Sequence, residues 1–221
     1  MRGATRDDAH VARWRRAMGR KLYIYDRSSW EDRMQANGRF TMGTPWPEDI
    51  LTVAVESEQE LINRLDGLVR QGAVFDRALF QTHGDSGGIY LGETFVNGWE
   101  LAKSFGRHWM LFSGSRAKIY FDGCNVAQDP DGWDFLIAAG QTLLRSAGGY
   151  TLGYTSMGSA MPGFLPFIGG HTVHFYGQLR VMQFGPGGLA MGQPPTLEEA
   201  LVERAEKAAT ATVEQVGRWV R

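Results

Sequence analysis

Hydrophobic residues along this chain fall into short runs separated by polar, Gly-rich and Pro-rich stretches, a pattern that predicts strands alternating with helices. Leu22-Tyr23-Ile24-Tyr25, Leu51 to Val55, Val74 to Thr82, Ala117 to Phe121 and Tyr150 to Thr155 read as buried strands, with a short run at Ile89-Tyr90-Leu91. Between the second and third strands, Leu61, Ile62, Leu65, Leu68 and Val69 recur at helical spacing behind a capping box, Ser57-Glu58-Gln59-Glu60, and Gly72 stops the helix. Strand, helix and strand in this order predict a right-handed parallel crossover. A second helix opens at Asp129-Pro130-Asp131, carries Trp133, Leu136, Ile137, Leu143 and Leu144, and closes at Gly148-Gly149. Val173, Phe175, Leu179 and Val181 alternate with polar positions over 171–184 and predict an antiparallel hairpin or edge strand. The segments 26–50, 156–170 and 185–195 read as loops, and 92–115 carries mixed signals.

A second capping box, Thr196-Leu197-Glu198-Glu199, precedes Val202, Ala205, Ala209, Val213, Val216 and Val220 at helical spacing. The expected organisation is an N-terminal arm over 1–20, helical around Ala9 to Met18, an α/β domain over 21–195, and a C-terminal helix over 196–221 packed on that domain. At 221 residues the chain is long enough to bury one core without staples.

Charge is balanced, with 23 Lys+Arg against 24 Asp+Glu, so no overall field draws the chain to nucleic acid or to an anionic membrane. Arg13, Arg15, Arg16, Arg20 and Lys21 form a small basic cluster that reads as a solvated arm. No apolar stretch reaches the roughly 18 residues of a membrane span, and cytoplasmic residence is the expectation. The single cysteine, Cys124, forbids an internal disulfide and raises the question of a thiol kept for its reactivity.

Two strand-like runs end in chemistry: Ala78-Leu79-Phe80-Gln81-Thr82 leads to His83-Gly84, and Ala117 to Phe121 leads to Asp122-Gly123-Cys124. Open α/β sheets bind ligands beyond the carboxyl ends of their strands, which makes His83 and Cys124 candidates for a base and nucleophile in one cleft. A free thiol is mostly protonated at neutral pH, and a neighbouring imidazole can take its proton and later return one to a leaving amine. Gly84 allows close backbone approach, and the amides of Gly84 and Cys124 are candidate oxyanion donors. The bland alternative is a buried thiol and a structural histidine.

The string His83-Gly84-Asp85-Ser86-Gly87-Gly88-Ile89-Tyr90-Leu91-Gly92, followed by Asp122-Gly123-Cys124-Asn125-Val126-Ala127, resembles the caspase-like cysteine peptidases of the caspase, metacaspase, gingipain and separase group. It looks closest to the bacterial caspase-like domain, and the resemblance covers residues 74–155. It implies a caspase-like three-layer sandwich: a mostly parallel central sheet, helices on both faces and an antiparallel edge hairpin. It also implies Cys124 as nucleophile, His83 as general base and acid, and Gly84 in the oxyanion hole, with Asp85, Thr155 and Ser156 on the substrate side. Metacaspases that cleave after Arg or Lys hold an aspartate two residues before the cysteine, the position of Asp122; the alternative for Asp122 is a strand-end cap.

The expected function is a cysteine endopeptidase that cuts a protein substrate after Arg or Lys, without metal or other cofactor. A second reading is a catalytically silent module that binds a peptide or protein through the loops at 26–50 and 156–170. Gly84-Asp85-Ser86-Gly87-Gly88 also matches the nucleophile motif of chymotrypsin-like serine peptidases, but the required upstream histidine and acid are not in order. His171 and His174 alternate to opposite faces of a strand and predict no metal site. Oligomeric state has no signal in the sequence.

Overall fold

A computed structural model describes residues 21–27, 50–114, 116–160, 172–174 and 178–192. The expected arm over 1–20, the C-terminal helix over 196–221, His171 and most of the loops at 26–50 and 156–170 lie outside these residues.

Seven strands form the main sheet: β1 (Lys21–Asp26), β2 (Ile50–Val55), β3 (Arg77–Gln81), β7 (Ala117–Phe121), β8 (Gly149–Tyr154), β11 (Leu179–Phe184) and β12 (Ala190–Gly192). Their spatial order is β12-β11-β8-β7-β3-β1-β2. The five strands from β2 to β8 run parallel, and β11 and β12 are antiparallel at one edge. Direction of travel reverses after β2, so the chain skips β1 and resumes on its far side at β3. A separate three-stranded antiparallel ribbon, β4 (Gly84–Asp85), β5 (Gly88–Leu91) and β6 (Thr94–Asn97), follows β3 directly.

Three helices are described: α1 (Glu58–Arg70), α2 (Gly98–Phe105) and α3 (Gly132–Leu143). Ser57 caps α1 by accepting from the Glu60 amide at 3.2 Å, while the Glu60 carboxylate reaches back to the Glu56 amide rather than that of Ser57. A complete capping box starts α2 instead, where Asn97 and Glu100 exchange side-chain bonds to each other's amides. The mixed signals of 92–115 thus resolve into β6, α2 and a 3-10 turn over His108–Phe112.

Alternation along the strands sorts side chains onto two faces. Leu22, Ile24, Val53, Val55, Ala78, Phe80, Ile119 and Phe121 face the helices and join Leu61, Leu65, Leu101, Phe105, Phe135 and Leu136 in one core. Tyr23, Tyr25, Ile50 and Leu79 form a smaller cluster on the opposite face, with Ala54 and Tyr120 packed against it. All three described helices therefore cover one face, whereas the sequence led us to expect helices on both. The stretch expected as a hairpin or edge strand over 171–184 is two elements in different sheets, and the antiparallel hairpin at the edge of the main sheet is made by β11 with β12. Thr172–His174 (β10) pairs with Gly158–Ala160 (β9), and β11 pairs with β8. Two short elements, β9 and β12, stand where loops were expected.

Candidate functional site

β3 and β7 are neighbours, and their parallel register sets Phe80 opposite Phe121, an offset of 41 residues. The ladder continues one step further, with the Asp122 amide donating to the Phe80 carbonyl at 2.8 Å. His83 lies two residues beyond the end of β3 and Cys124 three beyond that of β7, past the last laddered pair. Strand alternation sends Leu79 and Gln81 to one side of β3 and Tyr120 to that same side of β7, and Asp122, just past β7, meets Gln81 there. This is the face opposite the helices. His83 is exposed and Cys124 half-buried.

Backbone contact between the two segments is tight. A Cβ placed on Gly84 would come within 2.7 Å of the Cys124 carbonyl oxygen and 2.5 Å of the Val126 side chain. One placed on Gly123 would stand 3.1 Å from both Cα and N of Gly84. Only glycine lets the start of the ribbon lie against the cysteine turn. The ribbon's tip is tied to the same turn, since Gly87 N–H donates to the Val126 carbonyl and Ser86 Oγ donates to that of Gln128. Asp85 is exposed and accepts from the Ser86 amide at 2.8 Å, a local turn bond.

On its other side the cysteine turn is held by the extension of β8. Asn125 N–H donates to the Ser156 carbonyl and Ala127 N–H to that of Tyr154. Asn125 has a φ of 56°, a left-handed conformation that asparagine tolerates better than most side chains. The sulfur itself meets the main chain of β9: Gly158 N–H donates to Cys124 Sγ at 3.3 Å, and Sγ lies 3.4 Å from the Gly158 carbonyl. Thr155 is committed to structure, accepting from the Gln178 amide through its hydroxyl and donating through its own amide to the Gln178 carbonyl.

Asp122 is 2% exposed. It accepts from Gln81 Nε2 at 3.4 Å, and Gln81 Oε1 accepts from the Tyr23 hydroxyl, so a polar chain crosses β1, β3 and the end of β7 on the face opposite the helices. Burial first, then the Asp122 carboxylate and a hydrogen bond with Tyr154, push the Tyr120 phenol far above its ordinary range, so Tyr120 stays neutral. Gln81 and Tyr23 had no signal in the sequence. Asn125 did: it is a turn-favouring residue immediately after the cysteine.

Behind the turn, Arg180 of β11 grips Asp129 with both guanidinium nitrogens at 2.8 and 2.6 Å, donates to the Ala127 carbonyl, and lies 4.7 Å from the Trp133 ring centre. Pairing with Arg180 holds the Asp129 carboxyl below the usual range.

No His, Cys, Asp and Glu cluster of metal-binding size occurs among the described residues, and no helix among them is long and apolar enough to cross a membrane. No family model and no curated protein matches the chain.

Proposed function

We propose that this chain is a cysteine peptidase of the caspase-like kind. The observation that supports this reading best is that the chain leaving β3 through His83 runs directly against the cysteine turn that follows β7: a Cβ on Gly84 would stand 2.7 Å from the Cys124 carbonyl oxygen. A mostly parallel sheet with antiparallel strands at one edge is compatible with the expected sandwich. In the proposed reaction His83 takes the Cys124 proton and the thiolate forms a C–S bond to the scissile carbonyl carbon. The resulting oxyanion accepts bonds from the amides of Gly84 and Cys124. As the intermediate collapses, the C–N bond breaks and His83 gives its proton to the departing amine. Water, deprotonated by His83, then attacks the thioester and releases the acid product and the thiol. Asp122, a buried carboxylate beside Gln81, would hold the Arg or Lys side chain that precedes the scissile bond.

Engagement of Sγ by both main-chain groups of Gly158 favours a second reading, in which the thiol is occupied and the site only binds peptide. Iodoacetamide labelling of the full chain separates the two, together with a peptide panel carrying Arg, Lys, Asp or Ala before the scissile bond. The peptidase reading expects faster alkylation of Cys124 at neutral pH in the folded chain than in the unfolded one, and cleavage after Arg or Lys that Cys124→Ala and His83→Ala both abolish. Slower alkylation in the folded chain and intact peptides throughout would sink it.

A further inference from the structure

A cavity of about 440 Å³ lies between the N-terminal ends of α2 and α3, walled on a third side by the tip of the β4–β5 turn. Phe95, Phe135 and Ala138 supply apolar lining, and Ser86 and Gly87 of the turn border it. Its charged lining is wholly acidic: Asp131 and Asp134, with no Lys, Arg or His. At its rim stands Trp99, 76% exposed, the most exposed of the large hydrophobic side chains described.

Structural duties account for these groups only in part. Asp131 occupies the N-cap position of α3, where an aspartate ordinarily accepts from the helix amides, yet its side chain makes no capping bond. Asp134, in the first turn, draws modest support from the helix dipole, but both carboxylates are exposed and neither has an ion-pair partner among the described residues. A tryptophan with three quarters of its surface in water, at the mouth of a cavity with two unneutralised carboxylates, matches one ligand chemistry. A guanidinium or ammonium group can stack on the indole face while its donors meet the carboxylates.

We propose that this cavity is a recognition site for a basic side chain, arginine above lysine, of a peptide or protein partner. Arginine is favoured because its planar fork offers several donors to carboxylates and its flat face stacks on an aromatic ring, which a lysine ammonium does not match. The site is distinct from the position assigned to Asp122, which lies on the opposite face of the sheet. It is still coupled to the cysteine turn, because the Ser86-Gly87 tip that walls the cavity is bonded to the Val126 and Gln128 carbonyls. If the peptidase reading holds, the cavity selects substrates carrying a second basic residue at some distance from the scissile bond. That consequence rests on the peptidase reading; the binding does not.

The test uses the full chain with Cys124→Ala, so that no turnover is required, and fluorescein-labelled hexa-arginine as the probe, with hexa-citrulline as its uncharged counterpart. Binding followed by anisotropy should be seen for hexa-arginine and not for hexa-citrulline, and should weaken with added salt. The double variant Asp131→Asn/Asp134→Asn should lose about threefold to tenfold in affinity, and Trp99→Ala a similar factor. All three positions are exposed enough for the variants to fold, which circular dichroism would confirm. Affinity unchanged in both variants overturns the proposal, as does failure of hexa-arginine to bind. Loss confined to Asp122→Asn also overturns it, by assigning the contact to the other face. A cavity that binds hexa-arginine in a chain that cuts no peptide would leave this inference standing and end the peptidase reading alone.

Discussion

Replacing Asp122 by Ala would remove a negative charge and the acceptor of Gln81 Nε2 together, two effects that a turnover assay cannot separate. A buried donor left without its acceptor costs about 1–3 kcal/mol, so the Ala variant should be less stable as well as less active. Asp122→Asn is the cleaner probe, because the amide keeps an oxygen for Gln81 and loses only the charge. If Asp122 holds the substrate's basic side chain, this variant should lower kcat/KM for Arg and Lys peptides by about tenfold to a hundredfold with a thermal midpoint near that of the parent chain. Unchanged cleavage after Arg would return Asp122 to a purely structural role beneath Gln81 and Tyr23.

At the scale of elements, the helical layer contains a buried imidazole that the sequence did not single out. His108, at the start of the 3-10 turn, is fully buried and shares a 2.9 Å bond through Nε2 with Asp66 of α1, which Arg107 also contacts. Burial, more than the opposing pull of Asp66, lowers the His108 pKa below the ordinary 6.5. For Asp66, burial works against the carboxylate, but the His108 bond and Arg107 outweigh it and hold its pKa below the usual range. As pH falls below about 6.5 the unfolded chain takes up a proton at this histidine while the folded chain resists, so stability declines until the folded pKa is reached. The Asp66 contribution persists through that window and is lost only at lower pH. Thermal unfolding between about pH 7 and 5 should show this decline, and His108→Gln, which keeps a donor for Asp66 without a titrating ring, should flatten it. An unchanged slope would mean that other groups carry the dependence.

The same layer marks the boundary of what the sequence discloses. Periodicity and capping patterns are local, and α1, α3 and the parallel strands were legible from them. Lateral relations were not: Tyr23 meets Gln81 across 58 residues, and Asp66 meets His108 across 42. Arg180 reaches Asp129 across 51 residues, and no period within a single segment encodes such a pairing. The sequence marked His83 and Cys124 because each follows a strand-like run and borders a glycine. That they follow neighbouring strands is something only the assembled sheet specifies.

For the molecule as a whole, the pairing of β3 with β7 makes the spacing of the two strand ends that lead to His83 and Cys124 a property of the sheet rather than of the segment between them. Neighbouring strands stand about 4.8 Å apart whatever the chain does on its way from one to the other. The intervening segment, from the β4–β6 ribbon to the exposed turn at Ser113 and Gly114, can therefore be severed without moving the ruler that sets the two strand ends apart. A chain with a cleavage sequence inserted after Gly114 and then cut should remain a single complex on gel filtration, and Cys124 should be alkylated at close to the uncut rate. Separation of the fragments, or labelling at the unfolded rate, would show that the connection itself sets the spacing. The two halves of the pair behave in this respect like marks on adjacent slats of a blind, where the distance between marks is fixed by the slats and the cord may be cut or lengthened.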